Sequence, residues 1–154
     1  DDVRGASDML GPAQGFPSML GKFPTMNGSD NVCIFRVEEM HLIAAETSLR
    51  AGNTADALTY LNNIPAIRGL GANYYASATL ENILLERRKE FAFEGLRFHD
   101  LSRMGMDMPL IDGLKQLNDD LTGTPPSYGS YRYAYPIALS ERNANPNMVQ
   151  NYGY

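Results

Sequence analysis

Three glutamates spaced four apart, Glu86, Glu90 and Glu94, are the groups in this 154-residue sequence best placed to act together. On a helix they stack along one face, and a set of carboxylates is what general acid–base chemistry uses. Cations crowd the same stretch, Glu86-Arg87-Arg88-Lys89-Glu90-Phe91-Ala92-Phe93-Glu94-Gly95-Leu96-Arg97-Phe98-His99-Asp100-Leu101. Arg87 and Arg88 fall within pairing reach of the glutamates along the helix, and Arg97 and Asp100 extend the array. Such pairing lowers carboxylate pKa values, the opposite of what a general acid needs at neutral pH. Charges interleaved with Phe and Leu therefore read as structural ion pairs in a packed interface, and no catalytic residue is expected.

Other chemistries find less support. Glu38 and His41 have the Glu-x-x-His spacing of di-iron bundles, which need two such motifs and further carboxylates. The chain has only two histidines. His99-Asp100 is similar to a metal phosphohydrolase dyad without its other histidines, so neither metal nor cofactor is expected. Gly69-Leu70-Gly71 lacks the third glycine and the Lys-Ser/Thr of nucleotide loops. Cys33, the lone cysteine, lies in the apolar run Val32–Phe35 and reads as a small buried hydrophobe. Tyr131-Arg132-Tyr133-Ala134-Tyr135 alternates with period two, the pattern of a short strand with three tyrosines on one face. Those rings could stack on sugars, or could simply pack onto a helical layer. Tyr74-Tyr75, expected on a loop surface, is a second aromatic candidate for glycan contact.

The elements that would hold these residues are mostly helical. Helix A is expected from Val37 to Ala51, with Leu42, Ala45 and Leu49 inward and Met40, Ile43 and Ala44 beside them. Gly52 ends it and Asn53 caps the next helix. Helix B runs from Thr54 with Ala57, Leu58, Leu61 and Ile64 inward, and should kink or stop at Pro65. Helix C, capped by Thr79, covers Leu80–Glu94 and is stopped by Gly95, before a turn or short helix over Arg97–Met104. A weaker helical stretch spans Asp107–Leu121 with Leu110, Ile111, Leu114 and Leu117, and one helical turn covers Ser140–Ala144. The Gly-, Pro-, Ser- and Asn-rich residues 1–31 read as an irregular lead-in. With 32–104 as helical core and 105–154 as a loop-rich tail, the expectation is one mostly α domain.

The two-residue link Gly52-Asn53 makes helices A and B antiparallel. Together with Ala44-Ala45-Glu46, Ala51 and Ala57-Leu58, they resemble half of a tetratricopeptide repeat. Such units need neighbours to bury their faces, so a larger protein is expected to complete this one. The net charge of −5 and pI near 4.9, with no basic run, argue against nucleic acid or anionic membrane as partner. No stretch approaches the roughly 20 apolar residues of a membrane span. Any export signal is expected upstream of Asp1.

Four ordered blocks resemble the SusD/RagB-like family of nutrient-binding lipoproteins. Arg36-Val37-Glu38-Glu39-Met40-His41-Leu42-Ile43-Ala44-Ala45-Glu46 is similar to that family's R-x-x-E-[MV]-Y-L-I-x-A-E helix. Gly52-Asn53, Ala57-Leu58 and Leu61-Asn62 follow in order, then the Glu86–Leu101 run. Pro136-Ile137, Glu141, Asn145-Pro146, Gln150-Asn151 and Gly153-Tyr154 resemble the family's closing segment. Departures include Pro65, His99, Met104, Ala138 and Tyr152. The resemblance implies a C-terminal portion of a non-enzymatic, lipid-anchored protein outside the outer membrane, with the anchoring cysteine and N-terminal portion upstream. It implies capture of oligosaccharides beside a SusC-like TonB-dependent transporter. No binding residue carries over by motif. A tetratricopeptide-type module holding a protein partner is the alternative.

Overall fold

The computed structural model describes residues 2–6, 9, 21–25, 27–109 and 125–154, and the backbone of 11–13 and 16–18. It divides into two compact units, Asp1–Arg97 and Phe98–Tyr154.

The first unit is built on helices α1 (Val37–Arg50), α2 (Thr54–Ile67) and α3 (Leu80–Glu90), with α1 packed chiefly on α2 and also on α3. Gly52, at φ 82°, turns the chain between α1 and α2 in the left-handed region that favours glycine. The Asn53 side chain then accepts from the Asp56 N–H, and Thr79 accepts from Asn82 at the start of α3, each satisfying a helix-end donor. Leu42 and Ala45 of α1, Leu61 and Ile64 of α2, and Ile83 of α3 form the core with Tyr75 and Phe91. Ala57 is also buried, while Leu49 and Leu58 pack against the cluster from its edge.

Three boundaries differ from the sequence expectation. Helix α2 continues through Pro65 to Ile67. The proline costs the bond its missing N–H would have made, but Arg68 N still closes on Ile64 O at 3.2 Å. Helix α3 stops at Glu90, four residues early, because Lys22 and Arg36 bond the carbonyl of Glu90 and draw the end of the helix outward. A turn over 91–95 follows, with Phe93 at φ 66° and Gly95 at φ 79°. The lead-in carries a 3-10 turn, Val3–Gly5, and an antiparallel pair, β1 (Gly11–Ala13) and β2 (Phe16–Ser18), in register Gly11↔Ser18 and Ala13↔Phe16. Three-residue strands are too short for alternation to be legible.

Two surface assignments also change. Cys33 is exposed rather than buried, as are Val32, Ile34 and Phe35 around it. Their segment is irregular, with a bend at Ile34, and pairs with no strand among the described residues, so nothing covers it there. Tyr75 is buried at 7% exposure, whereas Tyr74 stays exposed.

Helix α4 (Leu96–Arg103) straddles the boundary between units in sequence. In the second unit, buried Asp100 accepts from Arg103 Nε at 2.9 Å. The tyrosine segment is not a strand: Tyr131–Tyr133 forms a 3-10 turn, with Tyr133 N to Ser130 O and Ala134 N to Tyr131 O, both 3.1 Å. A strand needs a partner backbone, and among the described residues tail side chains bond this segment instead. Gln150 accepts from Ile137 N (2.8 Å) and donates to Ile137 O (3.1 Å), folding the tail back after α5 (Leu139–Ala144). Asn151 and the Tyr154 hydroxyl bond the carbonyls of Tyr135 and Ala134. The expected helix over Asp107–Leu121, with Leu110, Ile111, Leu114 and Leu117, lies mainly outside the described residues.

Candidate functional site

Glu86 and Glu90 share one face of α3 and are almost wholly buried, at 0% and 2% exposure. Their partners come chiefly from distant segments, though Glu86 also pairs with Lys89 on its own helix at 3.8 Å. Glu90 accepts from Arg36 Nη1 at 2.9 Å, from Arg68 Nη2 at 2.7 Å and Nε at 3.1 Å, and from Arg4 Nη1 at 3.2 Å. Glu86 accepts from Arg4 Nη1 at 2.6 Å and from the Tyr75 hydroxyl at 2.7 Å. Glu94 reaches the cluster from the turn after α3. It takes Arg36 in a fork, Nη2 at 2.9 Å and Nε at 3.0 Å, and also pairs with Lys22.

Arg68 is placed by the last turn of α2 beyond Pro65, and also holds Glu38 at 2.7 Å. Arg4 is held from behind by Asp2, whose carboxylate bonds its backbone N–H and its guanidinium. Arg87 lies buried beside Glu39 at 3.5 Å and over the Phe91 ring, which Arg36 also overlies at 5.0 Å. Arg88 is exposed. Arg97 is half-buried in the first unit, and Asp100 engages Arg103 in the second.

The electrostatics follow from this packing. Burial pushes the Glu90 carboxyl upward, but hydrogen bonds from Arg68 and Arg36 outweigh it and leave its pKa below the ordinary 4.5. Burial also opposes charge on Arg4, which the Asp2 and Glu86 contacts overcome, raising its pKa. For Tyr75, burial and then the bond to Glu86 both raise the hydroxyl pKa. Glu90 is thus held ionised and saturated with donors, a geometry that locks segments together and leaves no proton to give at neutral pH. His41 bonds Asn63 through Nδ1 at 3.3 Å, and His99 stacks edgewise near Phe98. Among the described residues no three His, Cys, Asp or Glu side chains gather as metal ligands.

The aromatic candidates separate. Tyr75 is committed to Asn62, which donates to its carbonyl at 3.0 Å and accepts from its N–H at 2.9 Å. Tyr131 meets Tyr154 edge to face at 5.2 Å, and Tyr133 meets Tyr128 at 5.7 Å and Phe98 at 5.6 Å. The Tyr133 hydroxyl donates to the Met106 carbonyl. Tyr135 is open, at 84% exposure. Arg4, Lys22 and Arg68 were not singled out by the sequence, and Asn62 entered only through the family resemblance. Only Asn62, a polar residue between Leu61 and Ile64 on the inward face, carried a legible signal.

The SusD family matches residues 21–154. The chain belongs to that family. Over 128 residues it is 34% identical to the starch-binding protein SusD of Bacteroides thetaiotaomicron, covering 80% of this chain and 22% of that protein. A SusD superfamily protein from Bacteroides vulgatus superposes with a TM-score of 0.72 at 30% identity, covering 99% of this chain and 36% of that one. Surface glycan-binding protein A of Bacteroides uniformis superposes with a TM-score of 0.60 at 32% identity, over 79% of this chain and 28% of that one. This SusD-family chain therefore spans between 22% and 36% of the length of these relatives. The cluster and its supporting helices lie within the matched region, except for Asp2 and Arg4.

Proposed function

We propose that this chain is the C-terminal helical portion of a cell-surface nutrient-binding protein that captures oligosaccharides and is not an enzyme. The observation that carries the reading is membership of the SusD family, together with relatives named as starch-binding and surface glycan-binding proteins. The partner that fits is a SusC-like TonB-dependent transporter, with the protein lipid-anchored outside the outer membrane and the remaining family length supplied by an N-terminal portion. The 154 residues act as one domain in this reading.

The geometry supports a supporting role for the ion-paired cluster. Glu86 and Glu90 are buried and bonded, and Glu90 is held ionised, so the cluster stiffens the lobe and does not turn over substrate. Tyr131, Tyr133 and Tyr135, with exposed Tyr74, are the side chains left to meet sugar, since aromatic faces suit the C–H surfaces of pyranose rings. Tyr75 is withdrawn from that set by its burial. A glycan-array screen of the family-length protein carrying this chain tests the reading. Binding of an oligosaccharide is expected; binding of none, with uptake unchanged when the protein is deleted, overturns it. A tight peptide ligand in the groove between α1 and α2 would support the tetratricopeptide-type module instead.

A further inference from the structure

Asn27 is the only asparagine in the chain that a glycine follows. The pair sits in a turn on the loop between Lys22 and Arg36, the two cations that share Glu94. A bond from Gly28 N to Asn27 Cγ would close a small ring of Cγ, Cβ, Cα, C and N. In most sequences the next side chain shields that nitrogen, or burial keeps water from the amide. Neither protection operates here. Asn27, Gly28 and Ser29 are all exposed. Even a Cβ added at Gly28 would meet nothing within 4 Å, so the approach is open. Gly28 stands at φ 73°, a backbone that favours glycine, so the turn selects the residue that leaves its own nitrogen bare. Neither the Gly28 N–H nor the Asn27 side-chain nitrogen donates to any described residue.

The other end of the amide is held firmly. Ser29 donates twice to Asn27 Oδ1, from its backbone N–H at 3.1 Å and from its hydroxyl at 2.7 Å. With that proton committed to Asn27, the Thr25 hydroxyl is the donor in its 3.4 Å contact with Ser29 Oγ. Thr25 N bonds Asp30 Oδ2 at 2.9 Å, closing the loop on itself. Two donors thus point at the oxygen that becomes negative when Cγ is attacked, the arrangement by which an oxyanion hole works.

We propose that Asn27-Gly28 is a self-modification site, at which the fold promotes deamidation through a cyclic imide without enzyme or cofactor. Hydroxide takes the Gly28 amide proton, and the nitrogen's electron pair forms the bond to Cγ. Charge passes to Oδ1, between the two Ser29 donors. It returns as Cγ–Nδ2 breaks, and the leaving nitrogen takes a proton from water to depart as ammonia, regenerating hydroxide. Water then opens the imide. Attack at Cγ gives aspartate, and attack at the backbone carbonyl gives isoaspartate, whose main chain runs through Cβ and Cγ. Nothing is oxidised or reduced. Either product adds one negative charge to a loop that already holds Asp30, and isoaspartate also lengthens the span between Lys22 and Arg36 by one carbon.

Asn31 supplies an internal control: it is also exposed, but Val32 follows it. The chain is incubated in neutral buffer, sampled over time and digested with trypsin. Cleavage after Lys22 and Arg36 releases Phe23–Arg36, with both asparagines in one peptide. Mass spectrometry reads the change from amide to acid, and electron-transfer fragmentation separates aspartate from isoaspartate. Conversion of Asn27 with isoaspartate among the products is expected, faster in the folded chain than in a synthetic peptide of the same residues. Asn31 should lag by roughly tenfold or more, because a β-branched neighbour crowds the attacking nitrogen. Ser29→Ala should slow Asn27 by roughly fivefold in the folded chain, a small share of what an oxyanion donor contributes where water is excluded. The same change should leave the synthetic peptide's rate unaltered. Conversion no faster in the chain than in the peptide, aspartate without isoaspartate, equal rates at Asn27 and Asn31, or a Ser29→Ala chain as fast as its parent each overturn the proposal.

Discussion

The α3 cluster and the tyrosine-lined second unit hold themselves together in opposite ways. In the first, charge is buried, and Glu90 and Glu94 each answer several cations, and Glu86 one, drawn from far along the sequence. In the second, rings touch edge to face and a few side-chain amides bond backbone, with most tyrosines open to water. Removing one member of a buried ionic set strands the others without solvent, whereas an exposed ring leaves little behind. The two regions should therefore respond to substitution on different scales.

The largest effect is expected at the centre of the cluster. Glu90→Ala leaves Arg36, Arg68 and Arg4 facing one another with a buried counter-charge removed, and should destabilise the chain by roughly 3–5 kcal/mol. Urea melts of the two proteins measure it, and a loss under 1 kcal/mol would place the cluster among surface ion pairs. Acid should reproduce part of that loss. Because the Glu90 pKa is lowered on folding, its contribution is complete above about 4.5 and disappears as pH falls through the folded value. Tyr75 works from the other side. Its raised pKa gives a contribution that is complete below 10 and fades as pH rises beyond it. Melting temperature against pH should show a plateau between these limits, and a curve still rising as pH drops below 4 contradicts the assignment.

Asn62→Ala ranks next. It leaves the buried N–H and C=O of Tyr75 without their partner and should cost roughly 1–3 kcal/mol, read from the same melts. In the second unit, Gly153→Ala puts a methyl carbon 2.3 Å from Tyr131 Cγ at a backbone φ of 96°. It should loosen the Tyr131–Tyr154 contact, seen as a changed near-ultraviolet circular dichroism signal, with little change in urea stability of the helical unit. Tyr135→Ser should be the mildest, within about 0.5 kcal/mol. A large loss there would mean that the open ring is holding structure.

The helices were legible because local signals agreed. Asn53 and Thr79 mark starts, Gly52 marks a stop, and apolar spacing chose the inward faces. The three glutamates were legible as an ion-paired set, but their partners were not. Nothing in the spacing of Arg4, Lys22 or Arg68 foretells a carboxylate up to 86 positions away. The end of α3 was misjudged for the same reason, since its boundary is set by Lys22 and Arg36 rather than by its own residues. Cys33 and Tyr75 exchanged places because a doublet of tyrosines looks like surface and an apolar run looks like core. The Asn62 clamp and the open lead-in decide otherwise. Tyr131–Tyr135 has a strand's alternation, yet the carbonyls of Ala134 and Tyr135 bond the Tyr154 hydroxyl and the Asn151 side chain rather than a partner strand.

The reach of the cluster also governs the order of events in folding. Helices α1 and α2 are neighbours in sequence and can dock early, whereas Arg4 must find Glu86 across a separation of 82 positions. Closing so long a loop comes late on the route to the native state. Contacts absent from the transition state act on the way out rather than on the way in. The guanidinium–carboxylate knot is therefore a latch on unfolding: loosening it should speed the unfolding limb of a chevron and leave the refolding limb nearly where it was.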